Sequence, residues 1–196
     1  MRLSQKTAYP FDGKTVLTIC SQKPIEAAIA LRIPQWCRGY HLTVDGVPVE
    51  EAPLVDGYRV LERRWNQETE ICLTLQIKPE WIQANVRVRE DAGKVAMMLG
   101  PVVYCTEQAD NGPLLCDLVV DTGVELEKTD RNDIPGFGAY PSFGTDATRS
   151  SDEAAGEKRL YFPLVSKRRR VRMTLVPYCL WGERTTGEMA VWLQGR

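Results

Sequence analysis

The stretch Glu70-Ile71-Cys72-Leu73-Thr74-Leu75-Gln76-Ile77 decides the fold class of this chain. Its odd-numbered positions are all aliphatic, whereas the positions between them carry charged, polar or thiol side chains. A period of two is typical of a β-strand that rests one face on a hydrophobic core. The stretch therefore predicts a strand of a half-buried sheet.

A hairpin is predicted just before this strand. Asp45-Gly46 separates Leu42-Thr43-Val44 from Val47-Pro48-Val49. Both positions of a two-residue turn need a positive φ, which Asp-Gly tolerates well. Because Pro48 lacks an amide donor, we expect the returning strand to lie at a sheet edge.

Short strand-like segments recur along the rest of the chain, and no stretch gives an amphipathic helix of three turns. The segments are 14–20, 28–33, 57–62, 94–99, 102–106, 160–165, 170–176 and 188–193, and a short helical turn is expected at 79–84. Many closely spaced strands indicate antiparallel sandwiches. The sequence predicts an all-β protein with two antiparallel β-sandwich domains in tandem. Trp36 and Trp65 are expected to help fill the first core.

A change of composition in the middle sets the predicted domain organisation. Residues 121–158 are rich in Gly, Asp, Ser, Thr and Glu. A structureless connection of this length is uncommon inside a compact domain and is usually a functional loop or a disordered segment. Because strand-like segments resume after it, we expect a first sandwich at 1–110 and a second at 111–196, with 121–158 as a long loop of the second.

Composition excludes several kinds of partner. The 196 residues are 43% hydrophobic, and 25 basic residues balance 26 acidic ones, for a net charge of -1. No positive field favours nucleic acid or an anionic membrane, and no apolar run approaches the roughly 20 residues that cross a bilayer. We expect no nucleic-acid and no membrane partner. The first ten residues lack the apolar core of a signal peptide.

The cysteines give little support to a metal or disulfide framework. Six cysteines are scattered without a C-x-x-C pair, and His41 is the only histidine. We expect no zinc site and no other cofactor, most cysteines as buried thiols, and His41 on the surface. Scattered thiols slightly favour a reducing compartment such as the cytoplasm. The compartment and the redox state of the cysteines stay open.

Two clusters of charged or aromatic residues invite a functional interpretation. Lys167-Arg168-Arg169-Arg170-Val171-Arg172 is better explained as a charged edge strand than as an anion site. The second cluster offers Trp181, Glu183, Arg184, Glu188 and Trp192. Three alternatives stay open for it: a pair of catalytic carboxylates, a noncatalytic sugar contact through Trp181, Glu183, Arg184 and Trp192, or a structural hairpin. The sequence favours the hairpin, with Trp192 packed inward and Glu183, Arg184 and Glu188 paired across the turn.

Four segments in register resemble one enzyme family. They are TAYPFDG at 7–13, LRIPQWC at 31–37 with the later Gly57-Tyr58 and Arg64-Trp65, VAMMLGPVVYCTE at 95–107, and VPYCLWGERTTGEMAVWL at 176–193. Their order and spacing resemble the C-terminal region of glycoside hydrolase family 127, typified by bacterial β-L-arabinofuranosidases. The resemblance covers nearly the whole chain.

The resemblance implies that catalysis and the accessory role belong to separate domains. Members of the family combine an (α/α)6 catalytic barrel with two β-sandwiches, and this chain resembles the sandwiches only. The family's zinc-held nucleophile belongs to a Cys-Cys pair, which this chain lacks, and neither Cys37 nor Cys105 matches it. No catalytic or zinc-binding residue is therefore carried over, and the chain alone is expected to be inactive.

The same resemblance suggests the partners. The chain would begin just after the barrel, either as a piece of a longer enzyme or as a gene product comprising the accessory part alone. The leading expectation is an accessory region that braces the barrel and could mediate homodimerisation. The alternative is a stand-alone carbohydrate-binding module. Neither the sugar specificity of the parent enzyme nor the oligomeric state follows from the sequence.

Overall fold

The computed structural model describes residues 1–151, 158–164 and 167–196. The chain divides into two compact units, Met1–Lys78 and Pro79–Arg196. Both units are built mainly of β-strands, which confirms the prediction of an all-β protein. No helix in the described part of the chain has the length and apolar character needed to cross a membrane.

The first unit contains a five-stranded sheet and a two-stranded ribbon. Its strands are β1 (Arg2–Thr7), β2 (Lys14–Cys20), β3 (Ile25–Arg32), β4 (Tyr40–Val44), β5 (Val47–Pro48), β6 (Tyr58–Trp65) and β7 (Glu68–Leu75). The sheet has the order β1-β2-β7-β4-β5, the ribbon pairs β3 with β6, and all these pairings are antiparallel. Buried side chains from both the sheet and the ribbon form one hydrophobic core.

The alternation in β7 determines which side chains enter that core. Ile71, Leu73 and Leu75 are buried, whereas the intervening Cys72 and Thr74 are not. Trp65 at the end of β6 is fully buried and its indole Nε1 donates to the Ala27 carbonyl at 2.8 Å. Trp36, by contrast, is only partly buried against the same core. The first core is therefore anchored by Trp65 rather than equally by both tryptophans.

The predicted hairpin is confirmed. Asp45 and Gly46 have φ values of 50° and 76°, and Val44 pairs with Val47 across the turn. Strand β5, which contains Pro48, lies at the edge of the five-stranded sheet. The missing amide donor of Pro48 thus falls where it interrupts no central ladder.

The second unit contains a sheet that closes on itself. Its strands are β8 (Pro79–Gln83), β9 (Lys94–Leu99), β10 (Val102–Glu107), β11 (Val119–Val120), β12 (Glu127–Arg131), β13 (Tyr140–Ser150), β14 (Arg168–Pro177), β15 (Met189–Ala190) and β16 (Leu193–Gly195). The order β10-β14-β13-β11-β16-β9 returns to β10 through a further β9–β10 pairing, so these strands form a ring. The β11–β16 pairing is parallel, which departs from the expected antiparallel pattern.

Short helical turns connect these strands, and a mainly apolar core lies beneath them. One α-helical turn, α1, spans Gln108–Asn111, and 3-10 turns span Arg89–Asp91, Leu115–Asp117 and Tyr178–Leu180. Tyr104 is fully buried, contacts Phe143 edge-on at 5.3 Å between ring centroids, and donates its hydroxyl to the Pro141 carbonyl at 2.9 Å. The buried hydroxyl therefore has the partner that burial requires.

The expected domain boundary near residue 110 is corrected by the strand pairing. Strand β10 pairs with β9, β14 and β15, so residues 94–107 share their sheet with the C-terminal strands. The first unit ends at Lys78. The expected helical turn at 79–84 was also wrong, because these residues form strand β8 and pair with β9.

The expected long loop at 121–158 was wrong over half of its described length. It contains β12 and the eleven-residue β13, which pairs with β14 from Phe143 to Ser150. Residues 152–157 of that expected loop lie outside the described residues. Conversely, the expected strand at 160–165 is absent over 160–164, where Leu160 and Leu164 are exposed and form no ladder, and Val165 lies outside the described part.

Candidate functional site

The centre of charge in the second unit is the guanidinium of Arg184. Its Nη1 and Nη2 donate to the two carboxylate oxygens of Asp110 at 2.9 and 2.6 Å, and Nη2 also binds Glu107. Nη1 lies 3.4 Å from Asp133. Asp110 also accepts from Arg131 at 2.9 Å, and Arg131 binds Asp133. We call Glu107, Asp110, Arg131, Asp133 and Arg184 the Arg184 network.

Local structure explains how the acidic members meet. Glu107 ends β10 and directly precedes α1, which contains Asp110. Only three positions separate the two carboxylates, and both bind the Arg184 guanidinium, so Arg184 joins the end of β10 to α1. The Asn111 amide ties this turn to β14 by donating to the Thr174 carbonyl at 3.0 Å and accepting from the Thr174 amide at 2.9 Å.

Electrostatics within the network favour the ionised forms of Asp110 and Arg184. Burial, the largest single effect, would raise the pKa of Asp110, but hydrogen bonds and charge from Arg184 and Arg131 outweigh it and hold this pKa below its ordinary value. Hydrogen bonds with Asp110 above all raise the pKa of Arg184. Burial and a hydrogen bond to Asp133 raise the pKa of Tyr140 to about 12. At neutral pH, Asp110 is therefore negatively charged, Arg184 is positively charged and Tyr140 is neutral.

An exposed pair of aromatic rings lies next to the network in sequence. Tyr178 and Trp181 are stacked with 6.3 Å between ring centroids and an interplanar angle of 16°. They are 45% and 47% exposed, whereas Leu180 between them is buried. We call residues 178–181, which carry both rings, the aromatic turn. The Gly182 amide, directly after Trp181, donates to Glu107 at 2.9 Å, so the aromatic turn is fastened to the Arg184 network.

The structure separates the predicted site residues Trp181, Glu183, Arg184 and Trp192. Trp181 and Glu183 are exposed, while the Arg184 side chain is 11% exposed and turned toward Asp110 and Glu107. Trp192 is half-buried and lines a cleft of about 340 Å³ together with Lys94 and Gln194, and neither Trp181 nor Arg184 is part of that lining. Trp181 and Trp192 therefore do not share one platform.

The expected pairing of Glu183, Arg184 and Glu188 across a turn is not what forms. Arg184 binds acidic residues of other segments, and the Glu188 carboxylate accepts the backbone amides of Leu114 and Leu115 at 3.2 and 2.9 Å. Glu188 thus fastens a turn of backbone. Its carboxylate has a structural role in the described part of the chain, which leaves the hypothesis of a catalytic Glu183–Glu188 pair without geometric support.

The remaining candidates are the basic run, His41 and the cysteines. In the basic run, Arg168 binds Asp117, and Arg172 binds Asp146 and Glu127, so these arginines of β14 pair with acidic residues of other segments. His41 is exposed, as expected. All six cysteines are free thiols, but only Cys105 is buried, so the expectation that most of them are buried was wrong. No three His, Cys, Asp or Glu side chains of residues 1–151, 158–164 and 167–196 gather into a group that could hold a metal ion.

Sequence reasoning missed most of the partners of Arg184. Glu107 and Asp110 had one local signal, which is two acidic residues three positions apart beside an apolar strand. Asp133 had none, because it lies in the segment interpreted as a loop. Tyr178, the ring partner of Trp181, had no signal either, because it follows a strand like any surface tyrosine. Of the Arg184 network, the sequence analysis singled out only Arg184, and it predicted the wrong partners for it.

The fold defines an all-β region in which ion pairs such as Arg184–Asp110 and Arg168–Asp117 join separate segments of the chain. Comparison with known proteins gives the family. Residues 1–77 match the β-L-arabinofuranosidase, GH127 middle domain, and residues 79–194 match the glycoside hydrolase family 127 C-terminal domain. The chain belongs to glycoside hydrolase family 127.

Similar proteins agree with this assignment. A non-reducing end β-L-arabinofuranosidase of Bifidobacterium longum is 35% identical over an alignment 201 residues long, gaps included, which covers 97% of this chain and 30% of that protein. A family 127 β-L-arabinofuranosidase structure from Geobacillus stearothermophilus T6 is 36% identical with a TM-score of 0.89, covering 99% of this chain and 30% of that one. A β-arabinofuranosidase structure of the same family is 30% identical with a TM-score of 0.84, over 99% and 31%. The chain thus spans less than a third of the length of these relatives.

Proposed function

We propose that this chain is the noncatalytic C-terminal accessory region of a β-L-arabinofuranosidase-like glycoside hydrolase, and that it braces an (α/α)6 catalytic barrel. The observation that carries the proposal is the pair of matches to the family's middle and C-terminal domains, which together cover 1–77 and 79–194. About 70% of the length of the first two relatives lies outside this match, because the chain covers 30% of each. Catalysis belongs to that remainder in this proposal.

The chemistry of the side chains supports a bracing role. The sequence has no adjacent cysteines that could supply the family's nucleophile. The buried charges of the Arg184 network are satisfied by one another rather than directed at an open cleft. A network of this kind holds α1 and the segment after β14 in a fixed arrangement, which suits a supporting surface.

The tandem-sandwich description is part of the proposal. In the first unit, a sheet and a ribbon contribute to one core, as the two layers of a sandwich do. In the second unit, the six-stranded ring would have to be flattened so that its two sides act as layers. Homodimerisation remains a further proposed property of the accessory region.

The direct test is an activity assay with two arms. The purified chain, supplied with zinc and an aryl β-L-arabinofuranoside, should give no turnover, and a zinc-dependent rate would refute the noncatalytic role. In the second arm, the barrel of the Geobacillus relative is co-expressed with its own C-terminal region, with this chain, or with neither. Bracing predicts that either region raises the yield of soluble, active barrel. Rescue by its own region alone would argue against a shared bracing surface.

Dimerisation is tested separately. Sedimentation of the chain at several concentrations should show a concentration-dependent dimer. A monomer at every concentration would remove dimerisation from the proposal and leave the bracing role in place.

A further inference from the structure

We propose that Tyr178 and Trp181 form a binding surface for a neutral saccharide. The two rings are nearly parallel, with an interplanar angle of 16°, and each keeps almost half of its surface in solvent. Aromatic faces of this kind contact the C–H face of a sugar ring, which is apolar although the ring edge is covered with hydroxyls. The proposal replaces the combination of Trp181 with Arg184 and Trp192, which the fold separates.

The aromatic turn is held in place from several directions. The Trp181 amide donates to the Tyr178 carbonyl at 3.1 Å, and Leu180 is 4% exposed and anchors the turn in the core. Gly182 has a φ of 80° and donates to Glu107, which is itself bound by Arg184. The rings are therefore presented by a fixed backbone, which reduces the ordering cost when a ligand binds.

The size of the patch favours a sugar over a protein partner. A tyrosine or tryptophan offers about 150–250 Å² of surface, so two half-exposed rings offer roughly 200 Å² together. A stable protein interface needs about 800 Å² from each partner. The aromatic patch does not continue into the following segment, because Glu183, Thr185 and Thr186 are polar and exposed.

The same neighbours supply what a sugar edge needs. Within the described residues the Glu183 carboxylate has no hydrogen-bond or ion-pair partner, so it can accept from sugar hydroxyls. The Thr185 and Thr186 hydroxyls can donate or accept. Arg184 is the one basic residue of 178–187, and it is turned inward toward Glu107 and Asp110. A neutral ligand therefore fits this segment better than an anionic one. An aromatic face bordered by oxygen acceptors is thus matched to a polyhydroxylated ring.

The experiment is saturation-transfer NMR on the intact chain with methyl β-L-arabinofuranoside, with methyl glycosides of other neutral sugars, and with glycerol as a control. The choice of the arabinoside rests on the proposed function. We expect transfer to the ring C–H protons, with a Kd in the millimolar range. Trp181→Ala should weaken binding at least tenfold, Trp181→Phe less, and Tyr178→Ala by an intermediate factor. Circular dichroism checks that each variant folds.

Trp192→Phe is the matched control, because Trp192 is the tryptophan of the other cleft. Its binding should equal that of the unchanged chain. No transfer with any sugar, transfer unaffected by Trp181→Ala, or loss of transfer in Trp192→Phe would each overturn the site. Self-association abolished by Trp181→Ala would likewise overturn it in favour of a protein interface. Trp181-dependent binding of other sugars but not of the arabinoside would support the site and count against the proposed parent activity.

Discussion

Arg184 binds Asp110 through both carboxylate oxygens, at 2.9 and 2.6 Å, although 74 positions separate them in the sequence. A planar guanidinium and a carboxylate match in this two-bond geometry. Glu107, which is 4% exposed, binds the same guanidinium. One arginine thus holds the buried Glu107 and the partly buried Asp110 together, and Asp110 is also bound by Arg131.

Replacing Arg184 should destabilise the second unit. Arg184→Met leaves the buried Glu107 without its cation and Asp110 with Arg131 alone, which should cost about 3–5 kcal/mol, as for a broken buried pair. Arg184→Lys keeps the charge but loses the two-bond geometry, so its loss should be smaller. Urea unfolding measures both variants. Arg170→Met, at an exposed position of the same unit, is the control and should stay within about 0.5 kcal/mol of the unchanged chain.

The network also predicts a dependence of stability on acid. The pKa of Asp110 is held below its ordinary value in the folded chain, so folding favours the ionised form. This stabilisation is fully present above the unfolded pKa of about 3.9 and is lost as the pH falls through the lower folded pKa. The urea midpoint should therefore fall steeply below about pH 4. Asp110→Asn should be less stable at neutral pH and show a flatter acid limb, and an unchanged slope would contradict this account.

Local patterns predicted those strands whose side chains alternate clearly. The predicted strands 14–20 and 94–99 coincide with β2 and β9. Strand β13 was missed because its buried positions include Pro141, Ser142 and Thr145, which resemble a loop in sequence. Ser142 is tolerated there because its hydroxyl donates to the Thr129 carbonyl on β12. That partner is visible only once β12 and β13 are paired.

The candidate site shows the same limit. Trp181, Glu183, Arg184 and Trp192 were selected because they lie within one short segment, and proximity in sequence implied proximity of function. In the fold, Arg184 binds residues from the 107–110 and 133 regions, whereas Trp192 lies in another cleft. Long-range pairing of charges leaves no local signature, because the residues next to Arg184 in the sequence do not show which distant carboxylates it binds.

Trp65 should matter more to the first unit than Trp36. Trp65 is fully buried and hydrogen-bonded to Ala27, so Trp65→Ala should cost about 3–5 kcal/mol. Trp36 is only partly buried, and Trp36→Ala should cost about 1–3 kcal/mol. Urea unfolding followed by far-UV circular dichroism compares the two variants. Equal losses, or a larger loss for Trp36, would show that the first core is anchored differently.

Gly13 should tolerate no side chain. A Cβ atom at this position would lie 1.9 Å from the Leu75 carbonyl oxygen, and the Gly13 carbonyl accepts the Leu75 amide at 3.0 Å. Gly13→Ala must push β7 away and should cost about 3 kcal/mol. Gly46→Ala is the matched control, because that position is spatially open but has a φ of 76°. Its loss should be about 1 kcal/mol, and Gly46→Asn should lose less.

The cysteines should differ sharply in reactivity. Burial, the largest effect, raises the pKa of the Cys105 thiol to about 12, whereas Cys20, Cys116 and Cys179 are exposed. The thiolate is the nucleophile, and at pH 8 only about one part in ten thousand of a thiol with a pKa of about 12 is ionised. Burial also keeps the reagent away from Cys105. Alkylation with iodoacetamide followed by peptide mass mapping should modify the three exposed cysteines first. Cys105 should react only after urea unfolds the second unit. Labelling of Cys105 at the rate of Cys116 in the folded chain would mean that β10 opens far more often than its central place in the ring implies.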